Sequence, residues 1–206
     1  MDCTCYAIPV NNNNFKLLLI IAYNKIENKT KLCNISLIKN ENIETFSKIL
    51  EFLKKEYQFD PKIMKTDCSL AEIMSIRNVF PLCKNLICYF HIIHRCVKHL
   101  PQIRSKDVEI KTKANDLLTN IKLLLFVESL KIEDYFEKIK IKYKHTFKNF
   151  TNYFYKNYFK RFPFSEKIWN YSNYDFNDAM IDIINFIYNF FIIIFFQIKS
   201  NIILNN

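Results

Sequence analysis

The spacing of apolar residues changes along the chain, and each change of period predicts a change of element. Four asparagines at 11–14 form a polar turn, and residues 15–23 then run almost wholly apolar, as a buried strand does. A charged turn covers 25–29. Residues 30–38 alternate loosely and read as the next antiparallel strand, giving a three-stranded meander at the start of the chain. The period then lengthens. Ile43, Phe46, Ile49, Leu50, Leu53 and Tyr57 make one stripe on a helix over 42–57, with Glu44, Lys48, Glu51, Lys54 and Lys55 on its solvated face. Asp60-Pro61 breaks this helix.

A short strand over 62–66 ends on an acid, Asp67. In the helix that follows, Leu70, Ile73 and Met74 form the apolar side and Glu72 and Arg77 the exposed side, until Phe80-Pro81 ends it. A second short strand covers 85–88. From His91 a further helix puts Ile92, Ile93, Cys96, Val97 and Leu100 on one stripe and stops at Pro101. An acid at the end of a buried strand, followed by a helix and another strand, is how α/β folds deliver a carboxylate to a site at a sheet edge.

Beyond residue 101 the pattern is helical and rich in lysine and aromatics, with helices expected over 115–130, 132–143 and 147–159. The last stretch, 176–206, is mostly Ile, Phe, Tyr and Asn. Its longest uninterrupted apolar run is 190–196, far short of the roughly 20 residues that a membrane span needs. No membrane partner is therefore expected. The chain divides by composition into 1–101, a helical 102–174, and an apolar tail at 175–206 that reads as degenerate.

Composition modifies this picture in two places. The 206 residues include no glycine, while Asn, Lys, Ile, Phe and Tyr are in excess, a set with A- and T-rich codons. Much of the composition therefore reads as nucleotide bias. The net charge of +10 suits a polyanion partner, since lysines on phosphates release counterions; a codon-driven lysine excess gives the same number. Seven cysteines, an odd count without regular spacing, do not describe a secreted disulfide scaffold. With no basic-then-apolar leader after Met1, a reducing compartment is the expectation.

Several segments in order carry a resemblance. They are Met1-Asp2-Cys3-Thr4, Phe15-Lys16-Leu17-Leu18-Leu19, Glu41-Asn42-Ile43-Glu44-Thr45, Thr66-Asp67, Val79-Phe80-Pro81 and Cys88-x-x-His91. Together they resemble the catalytic core of Mutator-like (MULE) transposases over roughly residues 1–100, and Ile168-Trp169-Asn170-Tyr171 resembles a further short segment of that family. The resemblance implies an RNase H-like mixed sheet of about five strands with flanking helices, followed by a helical C-terminal region. It implies a DDE/D-type site in which Asp2 and Asp67 hold Mg²⁺ or Mn²⁺, and it makes Cys88 and His91 a DNA-proximal pair. The family's third acid, a glutamate, falls on Ile181 with Asp182 one residue later, a turn of about 100° on a helix. Cys3 replaces the family's usual glycine. Asp2 also stands where several strand residues normally precede it, so the resemblance points to a truncated or degenerate element.

The implied chemistry is two-metal cleavage and strand transfer, with DNA as partner at transposon ends and target, assembly of several copies, and a nuclear location. The alternative is an inactive transposon-derived remnant, nuclear or cytoplasmic, that binds DNA or protein. Two further readings stay open. Cys83, Cys88, His91 and Cys96 have a spacing that structural zinc could use, although Cys96 also fits the apolar stripe. The aromatics and lysines of 147–162 could stack bases, or could be an amphipathic helix.

Overall fold

The computed structural model describes residues 7–10, 13–24, 29–160 and 168–172. They form two compact units, one running up to Cys88 and the other starting at Tyr89.

In the first unit β1 (Ala7–Val10), β2 (Asn13–Asn24) and β3 (Lys29–Ile38) make the expected antiparallel meander, with a bulge between Ile20 and Ile21. Helix α1 (Ile43–Tyr57) starts at Asn42, whose side chain accepts the Thr45 N–H at 2.8 Å. β4 (Ile63–Thr66), α2 (Leu70–Val79) and β5 (Lys84–Ile87) follow, and β4 and β5 pair in parallel. The core joins Leu18, Ile20 and Ile38 of the meander to Phe46, Leu50 and Leu53 of α1, Met64 of β4 and Ile76 of α2. Two polar bonds add direction to this apolar contact. The Ser75 hydroxyl lies 3.0 Å from the Ile43 carbonyl, and Lys54 donates to the Val79 carbonyl at the end of α2.

The mixed α/β class is observed, but the single five-stranded sheet is not. Among the described residues the strands pair as a ladder of three and a ladder of two. β1 is only four residues long here and bonds along its edge to β2; residues 1–6, where the first strand and Asp2 were expected, lie outside the described residues.

The second unit is helical: α3 (Tyr89–His99), α4 (Val108–Leu124), α5 (Ile132–Tyr143) and α6 (Lys148–Phe154), which runs on into a π-helical turn, Tyr155–Lys160. α3 packs with these helices. α4 begins seven residues before the expected 115, because Asp107 caps it by accepting the N–H groups of Glu109 and Ile110. On its outer face Asp116 takes hydrogen bonds from Lys142 and Tyr143 of α5. The Lys142 bond, then the Tyr143 bond, holds its carboxyl below the usual carboxylate range.

The resembling segment 168–171 is a keystone of this unit. Ile168, Trp169, Asn170 and Tyr171 are all buried. The Asn170 amide donates to the carbonyls of Leu125 and Val127, both at 2.9 Å, and the Trp169 indole N–H donates to the Tyr158 carbonyl. Trp169 packs among Phe154, Tyr158 and Phe159. No helix among the described residues is long and apolar enough to cross a membrane; the tail at 175–206 lies outside them.

Candidate functional site

The site is built at one edge of the β4–β5 pair. Thr66 stands opposite Ile87, so the next residues, Asp67 and Cys88, emerge together at the carboxyl ends of two parallel strands. The Cys88 N–H donates to the Thr66 carbonyl at 2.7 Å and holds that edge in register. Ligand sites of open α/β sheets form at such strand ends.

Asp67 is half-buried, and its Oδ1 accepts the Ser69 N–H at 2.6 Å. Ser69 in turn caps α2, its side chain accepting the Glu72 N–H. Strand end, acid and helix start are thus tied within a few residues. The carboxylate orientation is set by backbone.

Glu72 departs from expectation. The sequence pattern put it on the exposed side of α2, yet it is 1 % exposed, while Leu70 is 42 % exposed. The buried face of α2 is Glu72, Ile73, Ser75, Ile76 and Val79, rotated from the expected stripe because the helix also packs on α1 through Ser75. Ser69-x-x-Glu72 has the spacing of a capping box, but the Ser69 N–H that such a glutamate would accept goes to Asp67 instead, so the sequence carries no signal for this burial. Glu72 follows Asp67 by five residues in sequence, and sequence reasoning put it on the wrong face of the helix. In the same strand pair, among the described residues, the buried Thr66 hydroxyl at the carboxyl end and the Asn85 side-chain amide, opposite Met64, have no hydrogen-bond partner. Such groups need an explanation in a folded protein.

Cys88 is buried and is the last residue of the first unit; His91 stands in the first turn of α3, in the second. The His91 ring lies edge-on to Phe90 at 5.7 Å. Asp2 and Asp182 lie outside the described residues. The structure therefore places one of the three expected acids.

Residues 9–95 match the family model of the MULE transposase domain. Over this span the chain is similar to MULE transposases. The matched span takes in Asp67, Cys88 and His91 and runs from β1 into α3. No curated protein matches the chain.

The four residues of the zinc reading are divided between the two units, Cys83 and Cys88 in the first and His91 and Cys96 in the second. Among the described residues no three His, Cys, Asp or Glu side chains gather as metal ligands, and Cys96 is fully buried on the apolar stripe with Ile92 and Leu100. Burial pushes the Cys83 thiol up to about 11. Beyond the MULE-like span, the aromatic run from 147 resolves as an amphipathic helix. Phe147, Phe150, Phe154 and Tyr158 point inward and Lys148, Lys156 and Lys160 stay exposed.

Proposed function

We propose that this chain carries the catalytic domain of a MULE-type DNA transposase, which cuts and joins DNA strands by metal-dependent attack on phosphodiesters. The observation that carries the reading is Asp67, oriented by Ser69 at the carboxyl end of β4, inside the span that matches the MULE domain. In this reading the two ladders belong to one RNase H-like sheet. Asp67 holds Mg²⁺ or Mn²⁺, Asp2 shares that task, and Asp182 supplies the third acid. Carboxylate oxygens are the donors that hard divalent cations take, so the residue type fits. Bound divalent ions activate the attacking oxygen and stabilise the leaving one. The chain's own contribution is to fix the carboxylate through the Ser69 N–H and the β4–β5 register. The partner is DNA at element ends and target, and the setting is the nucleus.

The test is nicking of supercoiled duplex DNA by the purified chain in Mg²⁺ and in Mn²⁺. Asp67→Asn keeps the Oδ1 acceptor for Ser69 and removes the charge. It is expected to fold and to lose about 100-fold or more of the rate, in line with the several kcal/mol that metal-held charge contributes. A folded wild-type chain that nicks nothing in either metal would sink the catalytic reading and leave a transposon-derived binding module.

A further inference from the structure

The helical unit carries a polar cleft that the reading above leaves unused. It lies between the end of α3 and the turn joining α5 to α6, with a volume of about 220 Å³. That is the share of roughly seven waters at about 30 Å³ each, enough for a tetrahedral anion with part of its hydration. His99, Gln102, His145, Lys148 and Asn149 line it, over the buried ring of Phe147.

Every polar side chain named can donate a hydrogen bond, and no carboxylate lines the cleft. The His99 ring is held in place by stacking on Tyr153, with centroids 3.8 Å apart and planes 22° from parallel. Two imidazoles beside an ammonium group make a poor cation site and a good site for an acceptor-only anion.

The charge around the cleft points the same way. Residues 89–172 hold seventeen Lys and Arg against eight Asp and Glu, so most of the chain's excess charge belongs to this stretch. Glu109, Asp116, Glu128 and Glu137 are each matched by a lysine within the unit. Lys148 has no such carboxylate among the described residues, and Lys98 and Lys144, next in sequence to His99 and His145, have none either.

We propose that this cleft seats a backbone phosphate of duplex DNA, with Lys148, His99 and His145 as donors. The inference rests on the DNA-acting reading above but uses different residues, so the two can fail separately. The measurement is fluorescence anisotropy of a labelled DNA duplex with the full chain in EDTA, where cleavage cannot contribute. Lys148→Glu and His145→Ala are expected to weaken binding about 3- to 10-fold. Lys148→Glu should also lower the slope of log affinity against log salt by about one, the signature of one lost phosphate contact.

Lys131→Glu makes the same charge change before the other end of α5, a twelve-residue helix and so about 18 Å long, and should weaken binding less. Circular dichroism confirms that each variant is folded. Equal losses for Lys148→Glu and Lys131→Glu would reduce the effect to net charge and overturn the cleft; so would a wild-type chain that binds no duplex. A chain that binds through the cleft yet nicks nothing keeps this inference and ends the catalytic one.

Discussion

Gln58 occupies a position that helices usually give to glycine. It ends α1 in the left-handed region, at φ 51°, and the N–H groups of Gln58 and Phe59 both turn back to the Leu53 carbonyl. A side chain with a Cβ is strained there, and this chain has no glycine to offer. Gln58→Gly is expected to stabilise the protein by about 0.5–1 kcal/mol, read as a higher urea midpoint at unchanged m-value, because relief of the left-handed strain exceeds the entropy cost of glycine. Gln58→Ala keeps the Cβ and should gain nothing. At this scale the sequence was legible where a residue's role is local. Asp67 announced itself as an acid ending a short apolar strand. Glu72 did not, because its charge argued for solvent, and only the packing of α2 on α1 turns it inward. Asp2 and Asp182 rest on the resemblance alone.

Elements were read best where period and breaker agree. Helix α5 spans 132–143 as expected, and β2, β3, β4 and α1 lie within two residues of their expected ends. α4 starts ahead of the expected 115, since its first turns carry exposed polar residues and only Asp107 marks the start. The π-helical turn at Tyr155–Lys160 was not legible. Aromatics at 147, 150, 154 and 158 keep an α-like spacing, and the extra residue in the turn shifts Phe159 toward Phe136 without breaking the stripe. Segment 168–171 was picked out by resemblance, and the structure gives it a physical role. Its Asn170 binds two carbonyls left over at the end of α4, which a helix cannot satisfy by itself. Asn170→Ala should cost about 1–3 kcal/mol, measured by thermal or urea unfolding, because the Val127 carbonyl loses its donor while the Leu125 carbonyl keeps only the Tyr171 N–H. A loss within a few tenths would mean that the segment is held by its aromatic rings and not by the amide.

At the scale of the molecule, the sequence carries the succession of strands and helices followed by helices alone, because each element's period is local. Strand pairing between distant segments is not a local property. The meander is legible, since short turns join its strands, whereas the relation of that ladder to β4–β5 depends on contacts far apart in the chain. Net charge was legible as a number and ambiguous as a cause; its concentration in residues 89–172 gives it a location. One feature of that stretch has a practical side. Trp169 is the chain's one indole, 1 % exposed and held by the Tyr158 carbonyl among rings that belong to its own unit. Its emission should be blue-shifted in the native protein and should move to the red when the helical unit opens, while far-UV circular dichroism sums the helices of both units. A denaturation curve followed by both signals would therefore show, by whether the transitions coincide, if the helical unit opens on its own. The same intrinsic fluorophore would report, without any attached dye, whether added DNA makes the helical unit harder to melt.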